Sequence, residues 1–422
     1  MENFNRERAL IVGVDLNDGE DTEASMEELS ALVEASDAEV VSSIIQGRDR
    51  IDSATYIGKG KAEEIKNYVE ELNIDMVVFN DELSGSQIRN LEKVIDCKIV
   101  DRTNLILDIF AQRATTSEGK LQVKLAQLQY RLPRLVGFKD YLSRTGGGIG
   151  TRGPGEQQLE TDRRHILREI NNIEKKLKSA ELIRETTRKR REESDIPIVS
   201  LVGYTNSGKS TLLNRMLEYT DADEEKYMFT KDMLFATLDT SLRKTELLNG
   251  NEILVSDTVG FVSKLPTKLI EAFKGTLEEI QFSDLLIHVI DISNENLEIQ
   301  VAATNKILED LDALSKPIIY VFNKSDKVDI QEVYFNFEET EPKIFMSAKV
   351  DENIDELMKL IEETLNKDNV FAKLCFDYSS QDKLNELRGK YNIGEIDYVD
   401  EGAVIELSLS SQDYERYKKY VI

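Results

Sequence analysis

This chain of 422 residues has no tryptophan, two cysteines, two histidines and six prolines. Each shortage excludes something. Cys97 and Cys375 lie far apart and form no metal-ligand cluster, which sets aside both a disulfide-stapled secreted fold and a cysteine-based metal module. His165 and His288 have no companions that would make either a ligand. His288, inside Leu285-Leu-Ile-His-Val-Ile290, reads as a satisfied core or sheet residue. No apolar run approaches the roughly 18 residues that a membrane span needs, and no signal peptide is legible, so the expectation is a soluble, monomeric protein of a reducing cytoplasm.

Positive charge is also short overall: 54 Lys plus Arg stand against 80 Asp plus Glu, a net charge of −26. Taken as a sum, this argues against nucleic acid as a partner. The distribution says something else. Between Arg131 and Arg191 there are sixteen Lys plus Arg and eight Asp plus Glu, so one segment is a basic arm on an acidic body.

Four short motifs carry the chemistry. The first is Gly203-Tyr-Thr-Asn-Ser-Gly-Lys-Ser210, between the apolar run Ile198-Val-Ser-Leu-Val202 and a helical pattern from Lys209 to Leu217. This is a P-loop: its amides and the helix N-terminus face phosphate, Lys209 supplies an ammonium for the β- and γ-oxygens, and the Ser210 hydroxyl suits Mg²⁺. Thr211 continues the same turn into the helix. The second motif, Asp257-Thr-Val-Gly260, follows a strand pattern at 251–256. Asp257 is placed to hold Mg²⁺ through water, and the Gly260 amide to bind the γ-phosphate, beside Thr258 and Val259. Thr237, in Phe235-Ala-Thr-Leu-Asp-Thr240, is the candidate second Mg²⁺ hydroxyl, with a capping threonine in a loop as the alternative. Lys209, Thr237 and Gly260 are the candidate catalytic residues; Ser210, Thr237 and Asp257 are the candidate metal ligands.

The third and fourth motifs select the base. Asn323-Lys-Ser-Asp326 follows Ile318-Ile-Tyr-Val-Phe322 at a strand end, where doubly wound folds bind ligands, and Ser347-Ala-Lys349 comes later. Asp326 can accept from guanine N1 and N2, a donor pair that adenine lacks; Asn323 can reach N7, Lys324 can lie over the ring, and the Ala348 amide can donate to O6. A site built to pair with those edges disfavours ATP. The order of the four motifs makes a GTPase the reading. Phe261 stands after Gly260, where small GTPases often carry a water-orienting Gln. Either the ring packs the switch into an apolar pocket while another group does the catalysis, or hydrolysis is slow until a partner completes the site, and both can hold together.

The patterning around these motifs predicts a multidomain α/β chain. Residues 1–115 alternate apolar runs with helical patterns and read as a small α/β domain with a parallel sheet. Its loop Tyr56-Ile-Gly-Lys-Gly-Lys61 opens a helix and is read either as a structural turn or as an anion contact. In 116–194, leucines at 121, 125, 128, 132 and 135, and apolar residues at 166, 170, 173 and 177, repeat at coiled-coil spacings. Between them Arg144-Thr-Gly-Gly-Gly-Ile-Gly-Thr-Arg-Gly-Pro-Gly-Glu156 is too rich in Gly and Pro for helix. An antiparallel helical hairpin with an Arg-bearing tip results, its second helix running from near Gln157 to Glu193 for about 55 Å at ~1.5 Å per residue. Arg188-Lys-Arg-Arg191 ends that helix, where cations favour the macrodipole. Residues 195–367 form the doubly wound P-loop domain, and 368–422 a small α+β module.

With these residues in hand, nearly the whole chain resembles the HflX family of translational GTPases. The resemblance is carried by Tyr56-Ile-Gly-Lys-Gly-Lys61, Asn80-Asp-Glu-Leu83, Asp101-Arg-Thr-Asn-Leu-Ile-Leu-Asp-Ile-Phe110, Glu118-Gly-Lys-Leu-Gln-Val-Lys-Leu-Ala-Gln127, Gly148-Ile-Gly-Thr-Arg-Gly-Pro-Gly-Glu156 and Gln158-Leu-Glu-Thr-Asp-Arg-Arg164. It implies binding to the large ribosomal subunit and its rRNA, dissociation of stalled or idle ribosomes, and hydrolysis stimulated by the ribosome. It also implies that the hairpin loop approaches the peptidyl-transferase region. Arg144, Arg152, Arg163 and Arg164 are the candidate RNA contacts, with GTP or GDP and Mg²⁺ in the P-loop domain. The resemblance leaves ATP as a second nucleotide at the Gly58-Lys-Gly60 loop. Two readings from other classes stand beside this one: a regulatory GTPase switch that binds a protein partner, and an RNA-remodelling ATPase that uses the N-terminal domain.

Overall fold

The computed structural model describes residues 6–19, 21–136, 154–192, 196–219, 235, 241–264, 274–329, 342–367, 369–391 and 393–422. The chain forms two compact units. One comprises Met1–Ile183, Asp232–Asp239 and Phe261–Gly275; the other comprises Arg184–Lys231, Thr240–Gly260 and Thr276–Ile422.

The first unit is built on a four-stranded parallel sheet of β1 (Arg8–Asp15), β2 (Glu39–Gly47), β3 (Met76–Phe79) and β4 (Lys98–Asp101), in the order β2-β1-β3-β4. The crossovers are α1 (Thr22–Ala35), α2 (Lys59–Leu72) and α3 (Gly85–Ile95). Their starts are chemically marked: Asp21 caps α1 by accepting from the Ala24 amide, and Ser84 with Gln87 forms a capping box on α3. Leu10, Val12, Ile65, Val77, Phe79 and Leu91 meet in the core between sheet and helices. The expected small parallel α/β domain is therefore observed, because continuous apolar strands can be buried on both faces only under helices.

The turn at Tyr56–Lys61 is held by local bonds. The Gly58 amide donates to Gln46 Oε1 at 3.0 Å, Tyr56 Oη donates to Asp81, and Lys61 pairs with Glu64. The amide that an anion would approach at Gly58 is thus engaged with a side chain.

Next come α4 (Arg102–Arg113), α5 (Ser117–Val136) and α6 (Pro154–Glu192). Leu125 and Leu128 of α5 pack with Ile166, Ile170 and Ile173 of α6, the heptad seam expected from the sequence. The second helix starts earlier than the sequence suggested. Pro154 lies at its first residue, where a missing N–H costs nothing and the fixed φ is already helical. Asp101, fully buried, ties α4 and α5 to the sheet. It caps α4 through the Asn104 amide, accepts from Tyr130 Oη at 2.7 Å and the Leu83 amide at 2.9 Å, and faces Arg134 at 3.3 Å. Burial raises the Asp101 carboxyl above its ordinary range, offset in part by the Tyr130 hydrogen bond; burial and the neighbouring carboxylate push the Tyr130 phenol far up.

The same unit holds residues that follow Gly260. Phe261 and Val262 are buried, the Ser263 amide and hydroxyl both donate to Glu28, and Lys264 Nζ reaches Asp81 Oδ1 at 2.9 Å. Arg102 joins this cluster, donating to Glu28, to Ser263 Oγ at 2.9 Å and to Asn80 Oδ1 at 2.8 Å. Phe235 lies edge-on to Phe110 with centroids 4.6 Å apart.

The second unit contains β5 (Ile198–Val202), α7 (Lys209–Tyr219), β6 (Ser241–Glu246), β7 (Glu252–Asp257), α8 (Lys274–Gln281), β8 (Leu285–Asp291), α9 (Leu297–Asp310), β9 (Ile318–Asn323), β10 (Lys343–Phe345) and α10 (Ile354–Leu365). The sheet order is β10-β9-β8-β5-β7-β6, parallel except for β6, which runs antiparallel to β7 at the edge. This is the doubly wound domain expected. The remaining residues form an antiparallel sheet of β11 (Val370–Phe376), β12 (Asp397–Val399) and β13 (Gly402–Leu409), packed on α11 (Gln381–Lys390) and α12 (Ser411–Tyr417), the α+β module.

Candidate guanine-nucleotide site

The described residues of the site lie within the second unit, at the C-terminal ends of β5, β7 and β9. Gly203 leaves β5 with a φ of +146°, and Gly208 follows at +97°. A Cβ at Gly208 would come within 2.2 Å of Asn323 Nδ2, so the loop can close on the third motif only with glycine there. Tyr204, Thr205 and Ser207 are buried, while Asn206, at positive φ, is exposed at the tip. Lys209, Ser210 and Thr211 open α7, so the loop amides and the helix N-terminus converge.

Lys209 is 6 % exposed, and its Nζ donates to the carbonyls of Gly203 (3.1 Å) and Tyr204 (2.8 Å). Burial brings its pKa down to about 8, against the opposing pull of Asp257. A buried ammonium held by two carbonyl dipoles and the nearby Asp257 charge still has much to gain from an anion. Gly260 approaches from the second motif: a Cβ there would meet Thr205 Cα at 2.7 Å and Lys209 Nζ at 3.2 Å. Only glycine brings that amide so close to the P-loop.

Asp257 ends β7 fully buried and accepts from Ser210 Oγ at 2.6 Å. Thr258 turns its hydroxyl back to Leu201 O at 2.6 Å, which pins the second motif to β5, and Val259 is buried beside it. Thr258 thus leaves only its backbone for a ligand. Ser210 and Asp257 offer a hydroxyl and a carboxylate within one hydrogen bond of each other, hard oxygen donors of the kind Mg²⁺ takes alongside phosphate. Among the described residues no group of three or more His, Cys, Asp or Glu converges, so an all-protein metal cage is absent from them. Thr237 lies outside the described residues.

Asn323 sits at the crossing of three motifs. Its Nδ2 donates to Ser207 O at 2.8 Å, and its Oδ1 accepts from the Ala348 amide at 3.0 Å. The expected reach to N7 would use the one remaining Nδ2 hydrogen, and the Ala348 amide, expected to donate to O6, donates instead to Asn323 Oδ1. Lys324, in the left-handed region, extends Nζ to Asn206 O (2.8 Å) and Asp291 Oδ2 (2.6 Å), which lays its stem across the loops. Asp326 Oδ1 accepts from Ser347 Oγ at 2.6 Å. Lys349 follows, exposed.

Sequence reasoning missed Arg215, on α7, whose Nε and Nη2 donate to the carbonyls of Ala348 (2.9 Å) and Lys349 (3.2 Å). It also missed Asp291, the partner of Lys324. No motif marks either; only the sheet order brings them to the loops. His288, on β8, is 1 % exposed; burial, then the Lys209 charge, brings its pKa down to about 3. It is a neutral imidazole tilted against Tyr320 with centroids 5.5 Å apart, the buried sheet residue expected, but its Nδ1 has no hydrogen-bond partner among the described residues, so it is not the satisfied one expected. Of the candidate RNA contacts, Arg163 and Arg164 are exposed on α6, Arg164 paired with Glu160 at 3.1 Å. Arg144 and Arg152 lie outside the described residues.

Comparison with known proteins agrees with this geometry. Residues 23–111 match the family described as GTP-binding GTPase N-terminal, 113–191 the GTP-binding GTPase middle region, and 198–324 the 50S ribosome-binding GTPase family. The GTPase HflX of Caldanaerobacter subterraneus subsp. tengcongensis is 46% identical, with 99% of this chain and 94% of that protein covered. The GTPase HflX of Escherichia coli K12 is 41% identical over 85% of this chain and 83% of its own length. A solved GTP-binding protein from Sulfolobus solfataricus in complex with GDP is 25% identical, with a TM-score of 0.43, covering 86% of this chain and 99% of that one. With a P-loop, two base-side loops and their sheet in place, and with one HflX relative aligned over 99% of the chain and another over 85%, the chain belongs to the HflX family of GTPases.

Proposed function

We propose that this GTPase binds the large ribosomal subunit in its GTP form and separates stalled or idle ribosomes into subunits, with hydrolysis stimulated by that contact. The observation that carries the reading is α6, a helix of 39 residues. Its apolar stripe is seated on α5 while Arg163, Arg164, Arg168, Lys175, Lys176 and Lys178 are exposed. Such a row of cations, on a chain of net charge −26, suits a phosphate backbone and few protein surfaces. The match of residues 198–324 to 50S ribosome-binding GTPases supports the same partner. Arg144 and Arg152 are proposed to extend the row at the hairpin tip, through phosphate contacts or stacking on exposed bases.

In the site, Lys209 offsets charge on the β- and γ-phosphates, the Gly260 amide meets the γ-phosphate, and Asp326 accepts from guanine N1 and N2. Ser210 and Asp257 would hold Mg²⁺, with Thr237 as the third candidate; the ion, when bound, neutralises developing phosphate charge. Phe261, buried and without a hydrogen-bonding group, cannot orient water, so the activating group is proposed to come from the ribosome. The cytoplasm is the compartment this partner implies, and no described helix is long and apolar enough to cross a membrane. Sucrose-gradient cosedimentation with 70S ribosomes tests the reading. With a non-hydrolysable GTP analogue the protein should travel with the 50S peak as the 70S peak shrinks. Protein remaining at the top of the gradient would replace this reading with a switch that serves a protein partner.

A further inference from the structure

Asp291 belongs to none of the four motifs, yet it ends β8 directly beside one of them. In the parallel register of β8 and β9 it lies opposite Asn323, the first residue of the third motif, so the sheet delivers its carboxylate to Lys324. Oδ2 accepts from Lys324 Nζ at 2.6 Å. Oδ1 is turned by Ser293, whose amide donates at 3.1 Å and whose hydroxyl donates at 2.6 Å. The side chains of this ion pair are only 18 % (Lys324) and 14 % (Asp291) exposed, so water screens the pair little. The same ammonium donates to Asn206 O at 2.8 Å, and the Lys324 backbone is left-handed, with a φ of +65°. Lys324 is thus fixed at its head by a carboxylate and a carbonyl and at its root by the chain. A lysine stem held only at its root would sample many rotamers.

We infer that Asp291 is a positioning residue for the base that acts through Lys324: it anchors the ammonium so that the alkyl stem forms one apolar wall of the guanine pocket. This rests on the guanine reading of the site, in which the Lys324 stem lies over the ring. A stem ordered by the protein's own groups does not have to be ordered by the nucleotide. The contact is with the ring face, which is much the same whatever groups the ring edge carries. Asp291 therefore sets how tightly the base is held, while Asp326 sets which base. Removing the anchor should weaken nucleotides that differ only at the edge by one common factor.

Equilibrium titration with GDP and with IDP, which lacks only the N2 donor group, tests this in a double-mutant cycle with Lys324. Asp291→Asn keeps a carbonyl oxygen for Ser293 and removes the charge that holds Lys324. It should bind GDP and IDP each about tenfold more weakly, the upper end of what ordering one long side chain costs. Lys324→Met, which keeps an apolar stem without the charged head, should lose about as much. The double variant should bind no more weakly than Lys324→Met alone, because Asp291 then has nothing to anchor. Asp291→Glu, which keeps the charge one methylene further out, should lose less than Asp291→Asn and nothing beside Lys324→Met, and it carries the cycle if the Asn variant fails to fold. Losses that multiply in the double variant would assign Asp291 to holding the end of β8 and overturn the inference. Unchanged affinity in Asp291→Asn, or a loss for GDP that IDP does not share, would overturn it too. Equal binding of GDP and ADP by the wild type would instead overturn the guanine reading itself, and this inference with it.

Discussion

Ser347 Oγ donates to Asp326 Oδ1 at 2.6 Å, so the fourth motif orients the carboxylate of the third. The two loops act as one reader: the hydroxyl fixes the rotation of the carboxylate, whose remaining lone pairs face outward as acceptors. Asp326→Asn keeps the shape and replaces an acceptor with a donor. GTP affinity should fall by about tenfold to a hundredfold, with preference moving to XTP, as expected for a lost hydrogen bond to a charged group. Titration with labelled GTP and XTP checks this, and unchanged GTP affinity would remove Asp326 from the base site.

Lys209→Ala removes the buried ammonium beside Gly260, and Ser210→Ala removes the hydroxyl beside Asp257. Turnover of GTP should drop to about one per cent or less in each, in line with the loss of one preorganised charge-stabilising group. ATP hydrolysis measured in parallel locates any second site: survival in the Lys209 variant would place it outside the P-loop.

His288 predicts a pH dependence of stability. Its folded pKa is about 3, against 6.5 for the free side chain, because the imidazole is buried near Lys209. Between those values the unfolded state binds the extra proton, so this group costs no stability above pH 6.5 and destabilises progressively as pH falls toward 3. From pH 6.5 to 5 the loss should be about 2 kcal/mol, at about 1.4 kcal/mol per pH unit. Urea melts of wild type and His288→Leu at both pH values measure the difference, which should vanish in the variant.

Glu28→Gln tests the cluster around Arg102. Arg102 is 2 % exposed and shares Glu28 with Ser263. Replacing the carboxylate leaves a buried guanidinium with neutral partners at Asn80 and Ser25, which should destabilise the first unit by about 3 kcal/mol. Chemical denaturation reads the change; a loss under about 0.5 kcal/mol would assign the pair no more weight than an exposed ion pair.

Much of the fold is readable from local pattern. Apolar runs such as Leu285-Leu-Ile-His-Val-Ile290 become central strands because only full burial accommodates them, and the heptad leucines of α5 find the apolar stripe of α6. The polar run Ser241-Leu-Arg-Lys-Thr-Glu246 gave no such signal. As an edge strand it needs little apolar surface, and only its pairing with β7 makes it a strand. Pro154 looked like a breaker and instead opens α6, since the same ring that stops a helix interior suits its first residue.

The sequence by itself determined the chemical inventory: a phosphate loop, a carboxylate at a strand end, an acidic base reader and a basic helical arm, each written in residues close together in the chain. Tertiary structure decided which of these touch. Asn323 meets Ser207 across 116 residues, Arg215 meets Ala348 across 133, and Glu28 meets Ser263 across 235. The first two pairs follow from strand order and, at Asn323, the close approach that Gly208 permits. A hydrogen bond between distant residues depends on where the sheet carries their backbones, and neighbouring residue types do not encode that placement.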